Sequence, residues 1–75
     1  MDKTAMLLDH LTQAQQLVAE GEARIARQKR RIAELRRDGH DTSRAEELLK
    51  TFVESQRHYE DTLARVRAEI SELKR

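Results

Sequence analysis

Cysteine is absent, so no disulfide can reinforce a chain of 75 residues. A domain this small buries a thin core unless a cross-link, a metal or a partner adds to it. Proline is also absent, and Phe52 and Tyr59 are the only aromatic residues. No run approaches the roughly 18 consecutive apolar residues of a membrane span. The N-terminal residues lack the basic stretch and apolar segment of a signal peptide. These readings set the expectation of a protein without a membrane role, in the cytoplasm. Charged residues make up 39% of the chain, yet the net charge is only +1. A balance that even gives no global attraction to nucleic acid or to an anionic membrane.

Few aromatics and many charges can also describe a disordered chain. The placement of the apolar residues argues otherwise. Leu11, Val18, Ile25 and Ile32 recur every seven residues, and Leu7, Ala14, Gly21, Gln28 and Leu35 form a second row beside them. After residue 41 the ladder reads Ala45, Leu49, Phe52, Gln56, Tyr59, Leu63, Val66, Ile70 and Leu73, in alternating steps of four and three. Such heptads specify helices that pack along a seam.

The break between the ladders is Asp38-Gly39-His40-Asp41. Arg36 and Arg37 suit the last turn of a first helix, where cations favour the dipole. Gly39 supplies the left-handed conformation that ends it. Asp2 or Thr4 can cap its start. A second helix restarts within Asp41-Thr42-Ser43, where Ser43 and Glu46 fit a capping box and Asp41 and Thr42 are rival caps. The expected architecture is all-α and occupies residues 1–75 as one domain: helix one over about 4–37, a turn over 38–42 and helix two over about 43–73. Each helix is about 50 Å long at ~1.5 Å per residue. A connection this short makes them antiparallel neighbours, a two-helix coiled-coil hairpin. The register that pairs the two rows places Ile32 by Ala45, Ile25 by Phe52, Val18 by Tyr59, Ala14 by Leu63 and Leu11 by Val66. The expected core is Leu11, Val18, Ile25, Ile32, Leu49, Phe52, Leu63, Val66 and Ile70. If fully buried, Phe52 would lose about 3–5 kcal/mol on truncation to alanine.

Four features ask for more than packing. Residues 1–23 carry a net charge of −3, 24–37 a net +6, 38–54 a net −3 and 55–75 a net +1. The basic block Arg24, Arg27, Lys29, Arg30, Arg31, Arg36 and Arg37 could contact nucleic-acid phosphates. The plainer reading is a solvated helix face beside the acidic start of helix two, and it is favoured because no aromatic or glycine-rich loop interleaves the run. Gly21 sits in mid-helix, where glycine costs about 1 kcal/mol relative to alanine. It implies a bend or a close approach, by Tyr59 or by a second subunit, with Gln56 opposite. Gln28 and Gln56 interrupt the seam, either fixing register or leaving it partly wet. Finally, Leu8 and Leu17 on helix one and Leu48 and Val53 on helix two lie off the seam, with an outer row of Ala5, Thr12, Ala19, Ala26 and Ala33. Each apolar stripe is then wider than one partner helix requires. Pairing of two hairpins into a four-helix bundle covers the excess.

His10, His40 and His58 do not fall in a metal-ligand pattern, and no catalytic constellation or phosphate loop is present, so neither a metal, a cofactor nor an enzyme is expected. The Asp38–Asp41 turn and the Leu48–Phe52 segment, Leu-Leu-Lys-Thr-Phe, resemble those of a set of short bacterial helical-hairpin proteins that share an Asp-Gly-His-Asp turn and have no established activity. The resemblance spans nearly the whole chain, implies a hairpin in a bacterial cytoplasm, and transfers no residue roles. The sequence reading is a small protein–protein interaction module, a scaffold, adaptor or regulatory subunit. Its expected partner is a second copy, with another helical protein as a further option and nucleic-acid binding through residues 24–37 as the alternative. Leu8, Leu17, Gly21, Leu48 and Val53 are its candidate contact residues.

Overall fold

A computed structural model describes residues 2–75 as two helices, α1 (Lys3–Arg37) and α2 (Ser43–Leu73), lying antiparallel in a rod of 56 × 17 × 14 Å. No strand occurs among the described residues, and none of the helices is long and apolar enough to cross a membrane. The hairpin expected from the two ladders is the observed fold.

Local chemistry sets the helix ends. Asp2 is the N-cap of α1, its Oδ1 accepting from the N–H groups of Thr4 at 2.6 Å and Ala5 at 3.3 Å. Two of the orphan donors of the first turn are thereby satisfied. At the other end Gly39 adopts φ 77°. Its N–H donates to the Arg36 carbonyl at 3.1 Å, and the His40 N–H donates to the Leu35 carbonyl at 2.9 Å. That pair of bonds is a Schellman closure, which glycine accepts without a Cβ penalty.

The start of α2 differs from the expected capping box. Thr42 holds the N-cap position but its side chain makes no capping bond. Asp41 does the work instead: its Oδ1 accepts from the Ser43 N–H at 3.0 Å and from the Ser43 hydroxyl at 2.7 Å. This is an Asx turn, in which a short carboxylate reaches the N–H two residues on. Glu46 is drawn to Arg36 of α1 at 3.0 Å rather than back to its own backbone.

Burial along the seam is thinner than expected. Among the described residues, Leu7, Ala14, Ile32, Leu63 and Val66 are the buried apolar ones, and only Leu7, at 1% exposure, is a fully enclosed large side chain. Of the expected core, Ile32, Leu63 and Val66 are buried, whereas Leu11, Val18, Ile25, Leu49, Phe52 and Ile70 are half-buried. The reason is geometric. One partner helix covers an arc of each cylinder, and residues on the shoulders of that arc keep a side in water. Gly21 meets Gln56 as the expected register requires, and Arg24 over Phe52 and Arg36 beside Glu46 bracket it towards the turn.

Because Phe52 is half-buried, Phe52→Ala lowers unfolding free energy by about 2 kcal/mol rather than the 3–5 kcal/mol of a fully buried ring; urea denaturation reads the difference, and an unchanged midpoint would remove Phe52 from the seam. Donation from the Ser43 backbone N–H, and then from its hydroxyl, holds the Asp41 carboxyl below its ordinary value. A depressed carboxylate stabilises the fold above its unfolded pKa, and that contribution disappears as pH falls through the folded value. Asp41→Ala therefore melts below the parent chain at neutral pH, and the gap closes in acid below the ordinary carboxylate range. A gap independent of pH would assign the effect to the loop backbone.

Candidate interaction surface

The off-seam apolar residues fall on two opposite flanks of the rod. On one, His10, Gln13, Ala14 and Leu17 of α1 share an open groove of about 290 Å³ with Thr62, Arg65, Val66 and Glu69 of α2. Leu48 stands two heptads before Thr62 and so lies along the same flank. On the other, Leu8 and Leu11 of α1 share a groove with Ile70, Leu73 and Lys74 of α2 at the open end of the hairpin. Val53, one heptad after Glu46, follows the Arg36–Glu46 contact on that second side. The structure therefore separates the five candidate contact residues. Leu17 and Leu48 share one flank, Leu8 and Val53 the other.

Gly21 belongs to neither flank. It is buried between the helices. A Cβ at this position would overlap the Gln56 side-chain oxygen and come within 2.7 Å of Gln56 Cδ. The close approach is real, but the occupant is Gln56 of the same chain. Gln56 itself, 6% exposed, fills the space over the glycine.

Gln56 Nε2 donates to the Val18 carbonyl of α1 at 2.9 Å, and Gln28 Nε2 donates in the opposite direction to the Ala45 carbonyl of α2 at 2.8 Å. Each helical carbonyl has a second lone pair beyond its intrahelical bond, and each glutamine uses one across the seam. The two seam glutamines thus tie the helices together in both directions, which resolves them as register contacts. Gln56 Oε1 is buried without a conventional donor. It lies over the Cα hydrogen that Gly21 carries in the Cβ direction, a weak C–H···O contact.

The basic block does not form one surface. Arg24 is half-buried with its guanidinium 5.6 Å from the Phe52 ring centroid, a cation–π arrangement. Arg36 is paired with Glu46, and Arg37 lies 4.0 Å from Asp38. Arg27, Lys29, Arg30 and Arg31 are exposed and, at about 100° per residue, spread over several sides of α1. Arg36–Glu46 is the one cross-helix ion pair among the described residues. With both side chains more than half exposed it contributes only about 0–1 kcal/mol. No group of three His, Asp or Glu side chains comes together among those residues in a way that could hold a metal ion.

No protein-family model, curated protein or solved structure matches the chain.

The Gly21–Gln56 contact yields a sign test. Alanine in mid-helix is favoured over glycine by about 1 kcal/mol. Here Gly21→Ala displaces the Gln56 amide from the Val18 carbonyl and strands it in the seam, where an unpaired buried amide costs about 1–3 kcal/mol. Gly21→Ala alone therefore lowers the melting temperature. In a Gln56→Ala background the same change raises it. A gain in both backgrounds would mean that Gln56 swings clear without loss.

Proposed function

We propose that this hairpin is a small protein–protein interaction module, a scaffold, adaptor or regulatory subunit, that engages a helical partner through the Leu17–Leu48 flank and carries out no catalysis of its own. The observation that supports the reading is the exposure of Leu17 at 42% and Leu48 at 45% on one side of a molecule with five buried apolar residues among those described. Full burial of an exposed leucine is worth about 1.5–3 kcal/mol, so covering what remains exposed of each adds about 1 kcal/mol per leucine. The grooves between the helices are open to solvent and lined by mixed polar and aliphatic groups, which suits helix docking better than enclosure of a small substrate. The setting that accompanies this reading, a bacterial cytoplasm, rests on the resemblance of the Asp38–Asp41 turn and the Leu48–Phe52 segment.

Nucleic-acid binding through residues 24–37 is the competing reading. Its weakness is the engagement of Arg24 and Arg36 within the hairpin and the dispersal of the remaining cations. One comparison separates the two. Chemical cross-linking to polypeptides, the chain itself included, disappears in the helical variant Leu17→Glu/Leu48→Glu and persists in Arg30→Glu/Arg31→Glu. Binding to mixed-sequence nucleic acid that falls steeply with salt and is lost in the arginine variant, with polypeptide cross-links unaffected by the leucine changes, would overturn the proposal.

A further inference from the structure

Resting on that reading, we infer that the occupant of the Leu17–Leu48 flank is a second copy of the chain, packed in reverse so that the turn of each hairpin lies at the open end of the other. Three observations lead there.

The first is area. The chain exposes 5904 Å². A compact monomer of 8.8 kDa exposes about 4,800 Å² by the usual scaling of surface with mass. The excess, about 1,100 Å², is comparable with the ~800 Å² that each partner contributes to a stable standard interface. A rod with a radius of gyration of 17.1 Å loses that excess by lying against another rod.

The second is the distribution of apolar groups. In a two-fold pair the same patch serves both subunits. A reversed pair therefore needs apolar residues in both halves of one flank. Leu17 lies in the open half and Leu48 in the turn half of the same side, so each faces the half of the partner that holds the other. The opposite flank meets this need less well. Its exposed leucines, Leu8 and Leu73, cluster at the open end, its turn half offers the half-buried Val53 in place of an exposed leucine, and the Arg36–Glu46 pair there would have to be desolvated on association.

The third is charge. Residues 24–54, the turn half, carry nine basic and six acidic side chains, a net of +3. The rest of the chain carries six basic and eight acidic, a net of −2. Packing turn against turn sets +3 on +3, whereas reversal sets +3 on −2. Complementary potentials of this kind select orientation more than affinity.

The absence of native cysteine allows a spin label to be placed at one site per chain. His40→Cys puts it on the exposed turn, and pulsed dipolar spectroscopy reads the distance between the two copies. The reversed pair gives a distance close to the 56 Å length of the rod. A distance near its 17 Å width would overturn the orientation. Sedimentation equilibrium across micromolar to millimolar concentration supplies the second arm. The parent chain is expected at twice 8.8 kDa, and Leu17→Glu/Leu48→Glu as a helical monomer. A dimer that persists in this variant would overturn the flank. A parent chain that stays at 8.8 kDa would overturn self-association. Cross-links to another polypeptide that are lost in the leucine variant would in that case leave the interaction module standing.

Discussion

The contact between Gln56 and Gly21 sits half-way along the seam, and the close approach of the helices depends on it. A side chain as long as glutamine enters a helix–helix interface only where the facing position gives way. Gly21 gives way completely, at a cost of about 1 kcal/mol in helix propensity. The return is a hydrogen bond from Gln56 to the Val18 carbonyl in a place where water has little access. Gln28, nearer the turn, repeats the device in the other direction. Sliding either helix by one residue would carry both amides away from their acceptors and leave them unpaired. Apolar side chains tolerate such slips far better, because leucine and valine find similar contacts one step away. The polar interruptions in the two ladders therefore hold the register that the apolar rungs alone would leave loose.

The turn acts on the same variable from one end. Gly39 closes α1 with two backbone bonds, and Asp41 orients the first turn of α2 through Ser43. Between them the connection has little freedom, so α2 begins at one level relative to α1. Arg36 and Glu46 then meet across the seam close to the reversal. Loop closure and glutamine clasps are independent constraints that agree on one pairing, which is how a chain with so thin a buried seam can still adopt a single arrangement.

Much of this fold was legible in the order of residues. Heptad spacing, a glycine after a basic last turn and a short polar break are local signals, and each maps onto backbone geometry without knowledge of the partner helix. What escaped depends on distances between helices. The position of Gly21 announced a close approach, but the choice between Gln56 and Tyr59 turns on rotamers and on the availability of the Val18 carbonyl. Half-burial of Ile25, Leu49 and Phe52 likewise depends on how far one helix wraps another, and a heptad pattern is the same for a two-helix and a four-helix seam. Ser43 and Glu46 had the spacing of a capping box, yet Asp41 was nearer to the Ser43 N–H and Arg36 was within reach of Glu46. The candidate surface was legible as residues and illegible as a patch, since Leu8, Leu17, Leu48 and Val53 all lie beside the seam but on different sides of it.

That last distinction bears on what the hairpin is for. A seam this narrow leaves the shoulders of both helices partly exposed, and the hairpin by itself covers only part of Leu17 and Leu48. Charged side chains there would improve solubility and leave the buried seam intact. Scattered single leucines are ordinary on protein surfaces, but these two share a flank, occupy opposite halves of the rod, and accompany charge that changes sign between those halves. Apolar area without charge asymmetry would bind partners in any direction. Charge asymmetry without apolar area would steer encounters that do not last. Apolar area on one flank, joined to opposite net charge in the two halves of the rod, is what an oriented, lasting contact between two rods requires.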